Sequence, residues 1–171
     1  VVGDDDRGLV ALHFVERLRL LYAAAAVQPL EDVDRFVNAA HVTEIALPCH
    51  AGTHVDAPVH IVPNGKSIEE LPLESFVGPG AVISVKKRGG EQVTAAELEN
   101  SGVAVSRGDI LMLHTGWDEK FESPDYNLHP YLAADAAEWI VKKGVKMLGI
   151  DCITVDLPTP LRPKGFDFPV H

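Results

Sequence analysis

Residues 9–26 read LVALHFVERLRLLYAAAA, rich in Leu, Ala and Arg and free of Gly and Pro, and their apolar positions predict one helix. Val42 to Leu47 is a short β-favouring run closed by Pro48 and predicts a strand. Asn64-Gly65 marks a turn, and Ser67-Ile68-Glu69-Glu70 has the pattern of a capped helical turn. Within Val77 to Lys87, a Gly-Pro-Gly turn leads into a strand in which Val82, Ser84 and Lys86 alternate with Ile83, Val85 and Lys87.

Thr94-Ala95-Ala96-Glu97 is a capping box, in which hydroxyl and carboxylate satisfy each other's backbone N–H groups, and it predicts a helix over 95–101. Asp109 to Thr115 is an apolar strand ending at Gly116-Trp117. Residues 118–131 are polar, contain Pro124 and Pro130, and read as a loop. Ala133 to Lys143 predicts a helix stopped by Gly144, with Lys142 and Lys143 complementing its C-terminal dipole. Val145 to Ile153 reads as a buried strand. Strands and helices alternate irregularly with no internal repeat, so the fold class is α/β, mixed α and β.

Composition narrows the function. A chain of 171 residues with 46% hydrophobic and 23% charged residues builds one domain around its own core, and excludes a disordered, collagen-like or coiled-coil protein. Twenty-five acids against fifteen bases leave a net charge of −10, without the basic footprint that nucleic acid or an anionic membrane requires. The apolar run from Leu9 to Val27 contains Glu16, Arg17 and Arg19 and follows Asp4-Asp5-Asp6, which fits neither a membrane span nor a secretory signal. Cys49 and Cys152 are too few and too far apart for a disulfide scaffold, so a reduced, cytoplasmic setting is expected. The chain opens at Val1 and closes at His171 directly after an apolar stretch, and residues are expected to be missing at both ends.

The candidate chemistry crowds into residues 49–60, CHAGTHVDAPVH. Neutral imidazoles and a carboxylate suit a borderline divalent cation such as zinc or manganese. Gly52 and Pro58 argue against a helix, and in an extended segment His50, His54, Asp56 and His60 would project along one edge able to wrap an ion. Such a cation would acidify a bound water and polarise a carbonyl, and an imidazole with an ordinary pKa near 6.5 can carry a proton near neutrality. His13, His41, His114 and His129 are read as surface or core histidines, and Cys49 as a small hydrophobe. Trp117 is a candidate for stacking on an aromatic substrate, whereas Trp139 reads as core. Asp151 and Asp156 fit turn or strand-end roles as well as pocket carboxylates.

The eleven residues from His50 to His60 match the HxGTHxDxPxH signature of the metal-dependent cyclase family. The chain resembles the bacterial kynurenine formamidases and isatin hydrolases of that group. Leu113-His114-Thr115-Gly116-Trp117 is similar to the family's TGW strand end, and Gly149-Ile150-Asp151-Cys152-Ile153-Thr154-Val155-Asp156 to its GID segment, so the likeness covers about residues 42–171. It implies a swivelling β/β/α fold, His50, His54 and Asp56 as ligands of one or two Zn2+ or Mn2+ ions per subunit, and His60 as acid/base. His171 takes the place of a later ligand in binuclear members, whose partner Glu is then expected beyond the chain. The N-terminal segment, 1–41, lacks the family's Leu-Ser strand and Pro-rich loop, and is set apart as an atypical helical segment before a hydrolase domain over 42–171.

The resemblance further implies a homodimer or homotetramer acting on a small-molecule amide. An aryl formamide such as N-formylkynurenine is the first expectation and a cyclic amide such as isatin the second. A polyketide-type cyclase and a metal-binding scaffold without turnover are the rival readings.

Overall fold

The computed structural model describes residues 10–13, 35–37, 40–42 and 46–171. Nine strands and two α-helices are found among them: β1 (Val10–His13), β2 (Arg35–Val37), β3 (Ala40–Val42), β4 (His54–Asp56), β5 (Gly80–Ser84), β6 (Gln92–Val93), α1 (Ala95–Glu99), β7 (Ile110–His114), β8 (Tyr131–Leu132), α2 (Ala134–Lys143) and β9 (Met147–Ile150). Five strands form the central sheet in the order β4-β1-β9-β7-β5, parallel except for β4. β2 and β3 pair antiparallel, and β6 and β8 pair parallel.

The core lies where the sheet meets the helices. Ala81 and Ile83 of β5, Leu111 and Leu113 of β7, and Leu148 and Ile150 of β9 pack in one cluster with Leu98 of α1 and Ala136 and Ile140 of α2. β5 shows the alternation its sequence predicts, with Ala81 and Ile83 inside and Val82 and Ser84 outside. β9 is buried at all four positions, as a central parallel strand covered on both faces should be.

Both α-helices follow their sequence signals. Thr94 caps α1 by accepting from the Glu97 N–H, and Glu97 accepts in return from the Thr94 N–H at 2.9 Å. Gly144 ends α2 at φ 73°, a left-handed position that costs glycine nothing. The turn at Asn64-Gly65 and the capped turn at Ser67–Glu70 also form, the latter as a 3-10 turn.

Three expectations change. Residues 10–13 of the expected helix form a strand, not a helix, because Val10–His13 fills the slot between β4 and β9. Helix propensity differs among these residues by only tenths of a kcal/mol, roughly, and pairing on both edges overrides it. Residues 14–26 lie outside the described residues. Up to residue 42 the described positions are those of β1, β2 and β3, and the rest of the expected N-terminal helical segment lies outside the described residues. The strand expected over Val42–Leu47 ends at Val42, where β3 stops, and residues 46–48 have no regular structure; residues 43–45 lie outside the described residues. Pro48 has no N–H for a ladder, and its carbonyl instead accepts from Ala51 at 3.2 Å to close a turn. The loop 118–131 contains 3-10 turns at Trp117–Lys120 and Pro124–Asn127 and runs into β8 at Tyr131. Among the described residues no helix is long and apolar enough to cross a membrane.

The topology decides where chemistry can sit. β1, β9 and β7 run together to His13, Ile150 and His114, and β4 runs the opposite way, so its first residue, His54, pairs with His13. His54 therefore lies at the carboxyl edge of the parallel strands, where ligands bind in open α/β sheets.

Candidate metal centre

A turn folds His50 back over β4. It passes through Gly52 at φ 67°, a conformation a side-chain-bearing residue adopts only with strain. The Gly52 carbonyl then accepts from Nδ1 of His54 at 2.9 Å. That bond fixes the proton on Nδ1 and leaves Nε2 of the neutral ring as a lone pair.

Three electron-rich atoms converge there. His50 Nδ1 lies 2.8 Å from Asp56 Oδ1 and 3.1 Å from His54 Nε2, and His54 Nε2 lies 3.3 Å from the same Asp56 oxygen. Two imidazole nitrogens and a carboxylate oxygen gathered at this spacing are a zinc- or manganese-type donor set. The residues present thus fit a divalent metal on their own chemistry. Asp56 is buried, while His50 has 47% of its side chain exposed, so the group opens to solvent on one side.

His60 joins from the exit of the strand, where Pro58–His60 forms a 3-10 turn rather than the extended edge the sequence spacing implied. Its ring centre is 4.2 Å from that of His50 and 5.7 Å from that of His171. Ligand atoms of His50, Asp56 and His60 all lie within 4.8 Å of one another. Although the residue is open to solvent, desolvation of the ring lowers its pKa below 6.5; Asp56 opposes this, and the other three imidazoles add to it. His60 is therefore a neutral base near pH 7.

His171 closes the far side. Its Nδ1 is 2.6 Å from Asp156 Oδ2, and its Nε2 is 3.9 Å from Asp56 Oδ2. Asp156 is fully buried and its other oxygen accepts from the Val170 N–H at 3.0 Å. The carboxylate of Asp56 thus faces His50 and His54 with one oxygen and His171 with the other. A cavity of about 60 Å3 opens beside it, lined by His60, Ile61, Val62, Val155, Val170 and His171 among others. Sequence reasoning left Asp156 undecided between pocket and strand end, and the only signal for it was its place at the end of the GID segment.

The structure brings His50, His54, Asp56, His60 and His171 together, and places Trp117 elsewhere. Trp117 is 5% exposed, belongs to the hydrophobic core and donates its indole N–H to the Tyr126 carbonyl at 2.8 Å. His129 is a buried core histidine whose Nδ1 bonds the Pro130 carbonyl at 2.8 Å. His114, Asp118 and Asp151 form a second group with ligand-type atoms within 4.8 Å. There Asp151 is already saturated: Oδ1 accepts from the Thr115 N–H and hydroxyl at 2.9 and 2.7 Å, and Oδ2 from the Gly116 and Trp117 N–H groups at 2.7 and 3.0 Å. Asp151 clasps the turn after β7, tying the TGW and GID segments to one another.

The "Putative cyclase" model of the Cyclase family matches residues 13–157. A kynurenine formamidase of Bacillus mycoides (strain KBAB4) is 35% identical over 117 residues, which are 68% of this chain and 53% of the relative. The chain spans about half the length of the curated relatives it matches. A solved structure described as a potential metal-dependent hydrolase with cyclase activity superposes with a TM-score of 0.61 at 25% identity, over 75% of this chain and 58% of the other. Isatin hydrolase A from Ralstonia solanacearum shares the fold, with a TM-score of 0.64 at 22% identity over 77% of this chain and 57% of its own. The α/β fold expected from the sequence is that of these cyclase-like hydrolases, and the chain belongs to the Cyclase family.

Proposed function

We propose that this chain carries the catalytic centre of a divalent-metal-dependent hydrolase of carbon–nitrogen bonds other than peptide bonds, with an aryl formamide such as N-formylkynurenine as its substrate class. The observation that carries this is the Asp56 carboxylate, set between His50 and His54 on one oxygen and His171 on the other. The likeness to kynurenine formamidases supports the substrate class.

His50, His54 and Asp56 would hold Zn2+ or Mn2+, and His171 would serve as a further ligand should a second ion bind. When bound, the cation supplies Lewis acidity toward a carbonyl oxygen and lowers the pKa of water. The chain's own residues do the rest. Gly52 holds the His54 tautomer through its carbonyl, and Asp156 does the same for His171. His60, neutral near pH 7, takes a proton from the attacking water and returns it to the leaving nitrogen. Ile61, Val62, Val155 and Val170 line the cavity with apolar surface and limit water around the reacting carbonyl. The working protein in this reading is a cytoplasmic homodimer or homotetramer that acts on a small molecule.

Hydrolysis of a formamide releases formic acid, whereas a cyclisation does not. The test is a pH-stat assay of the Zn2+- or Mn2+-loaded protein on N-formylkynurenine. Stoichiometric acid release that stops on chelation supports the proposal; metal binding without acid release from any aryl formamide overturns it in favour of a scaffold.

A further inference from the structure

The segment after β9 holds a cation that the chemistry above does not use. Arg162 follows the 3-10 turn Thr159–Leu161, and its Nε donates to the Leu157 carbonyl at 2.7 Å. The guanidinium carbon sits 4.7 Å from the centre of the Phe168 ring and 5.1 Å from that of Phe166, and these two rings meet edge to face at 5.3 Å. Among the described residues no carboxylate pairs with Arg162; its partners there are the Leu157 carbonyl and the two ring faces, and its terminal N–H groups have no acceptor among them.

Phe168 also touches the metal centre. Its ring centre is 5.9 Å from that of His171, and its backbone holds φ 52°, a left-handed conformation that an aromatic residue adopts only under constraint. One strained aromatic residue thus meets both a half-buried cation and the histidine that faces Asp56.

A planar guanidinium stacks on aromatic faces and pairs with a carboxylate through two parallel N–H donors. A chain of net charge −10 repels anions at long range, so an anionic substrate needs a local cation to hold it. We infer that Arg162 receives a carboxylate on an aryl amide substrate whose ring lies against Phe168, beside His171 at the edge of the metal centre. This rests on the amide-hydrolase reading and adds to it a specificity residue and a required anionic group.

The test compares 2-formamidobenzoate with its methyl ester on the metal-loaded wild type, Arg162→Gln and Arg162→Lys. The ratio of kcat/KM for acid over ester falls about ten- to hundredfold in Arg162→Gln, through KM, and recovers in part in Arg162→Lys. An unchanged ratio, or equal losses on both compounds, overturns the inference and leaves Arg162 as packing for Phe168. If the wild type hydrolyses N-formylkynurenine but neither of these compounds, the inference fails while the hydrolase reading stands; if it hydrolyses no aryl formamide at all, the hydrolase reading fails by itself. Calorimetry of 2-aminobenzoate with the metal-free protein then decides the anion site: binding weakened about tenfold or more in Arg162→Gln supports it, and equal binding overturns it.

Discussion

Asp156 and His171 are joined by a 2.6 Å contact between a fully buried carboxylate and Nδ1 of the ring, which leaves Nε2 directed at Asp56. The carboxylate fixes the tautomer and the orientation of the imidazole before any ion arrives. Asp156→Asn keeps the shape and removes the charge that favours the Nδ1–H form. Metal affinity at the His171 side is expected to fall about 10- to 100-fold, read by competition with a calibrated chelator. Unchanged affinity would remove Asp156 from the site.

His60 lies against His50 and His171 but is assigned to proton transfer rather than to holding the ion. His60→Gln is expected to lower turnover about 10²- to 10⁴-fold while elemental analysis finds the same metal content. Loss of metal together with turnover would make His60 a ligand, the role that its proximity to His50 and Asp56 also permits.

Asp151 takes four hydrogen bonds from three consecutive residues. Asp151→Ala leaves the buried Thr115 and Trp117 N–H groups without acceptors and is expected to cost about 3 kcal/mol or more, measured by urea unfolding. A change below about 1 kcal/mol would mean that water replaces the clasp.

Tyr126 gives a pH-dependent signature. Burial pushes its phenol up to about 12, with Cys152, Asp151 and Asp118 adding to the shift. Because the folded value lies above the unfolded value of 10.0, the stabilisation is fully present below pH 10 and is lost as the pH climbs through about 12. The stability difference between wild type and Tyr126→Phe is expected to shrink across that window, and absorbance at 295 nm should show one tyrosine ionising late. A Tyr126 that ionises near 10 contradicts the burial seen here.

Much of this was legible because it is local. The Thr94–Glu97 capping box, the Gly144 stop and the alternation of Ala81 through Ser84 are written in neighbouring residues, and each forms as read. The cluster from His50 to His60 was legible as a donor set, although a turn and a 3-10 turn, not an extended edge, gather it. What escaped depends on partners far along the chain. Val10–His13 has helix-forming composition and becomes a strand only because β4 and β9 flank it. Asp156, Arg162 and Phe168 gain meaning only once the chain after β9 brings His171 back to Asp56, which no spacing in the sequence encodes. Trp117 looked like a substrate platform beside a motif, and its indole bond to Tyr126 instead ties it into the core.

The central claim is that His50, His54 and Asp56 form a true divalent-metal site. Its most direct measurement is elemental analysis of the purified, unchelated protein beside His54→Ala, normalised to chain concentration. One or two zinc or manganese ions per chain in the parent, lost in the variant, is the predicted result. A parent that takes up neither metal after incubation with both, or a variant that retains the parent's full content, would contradict it.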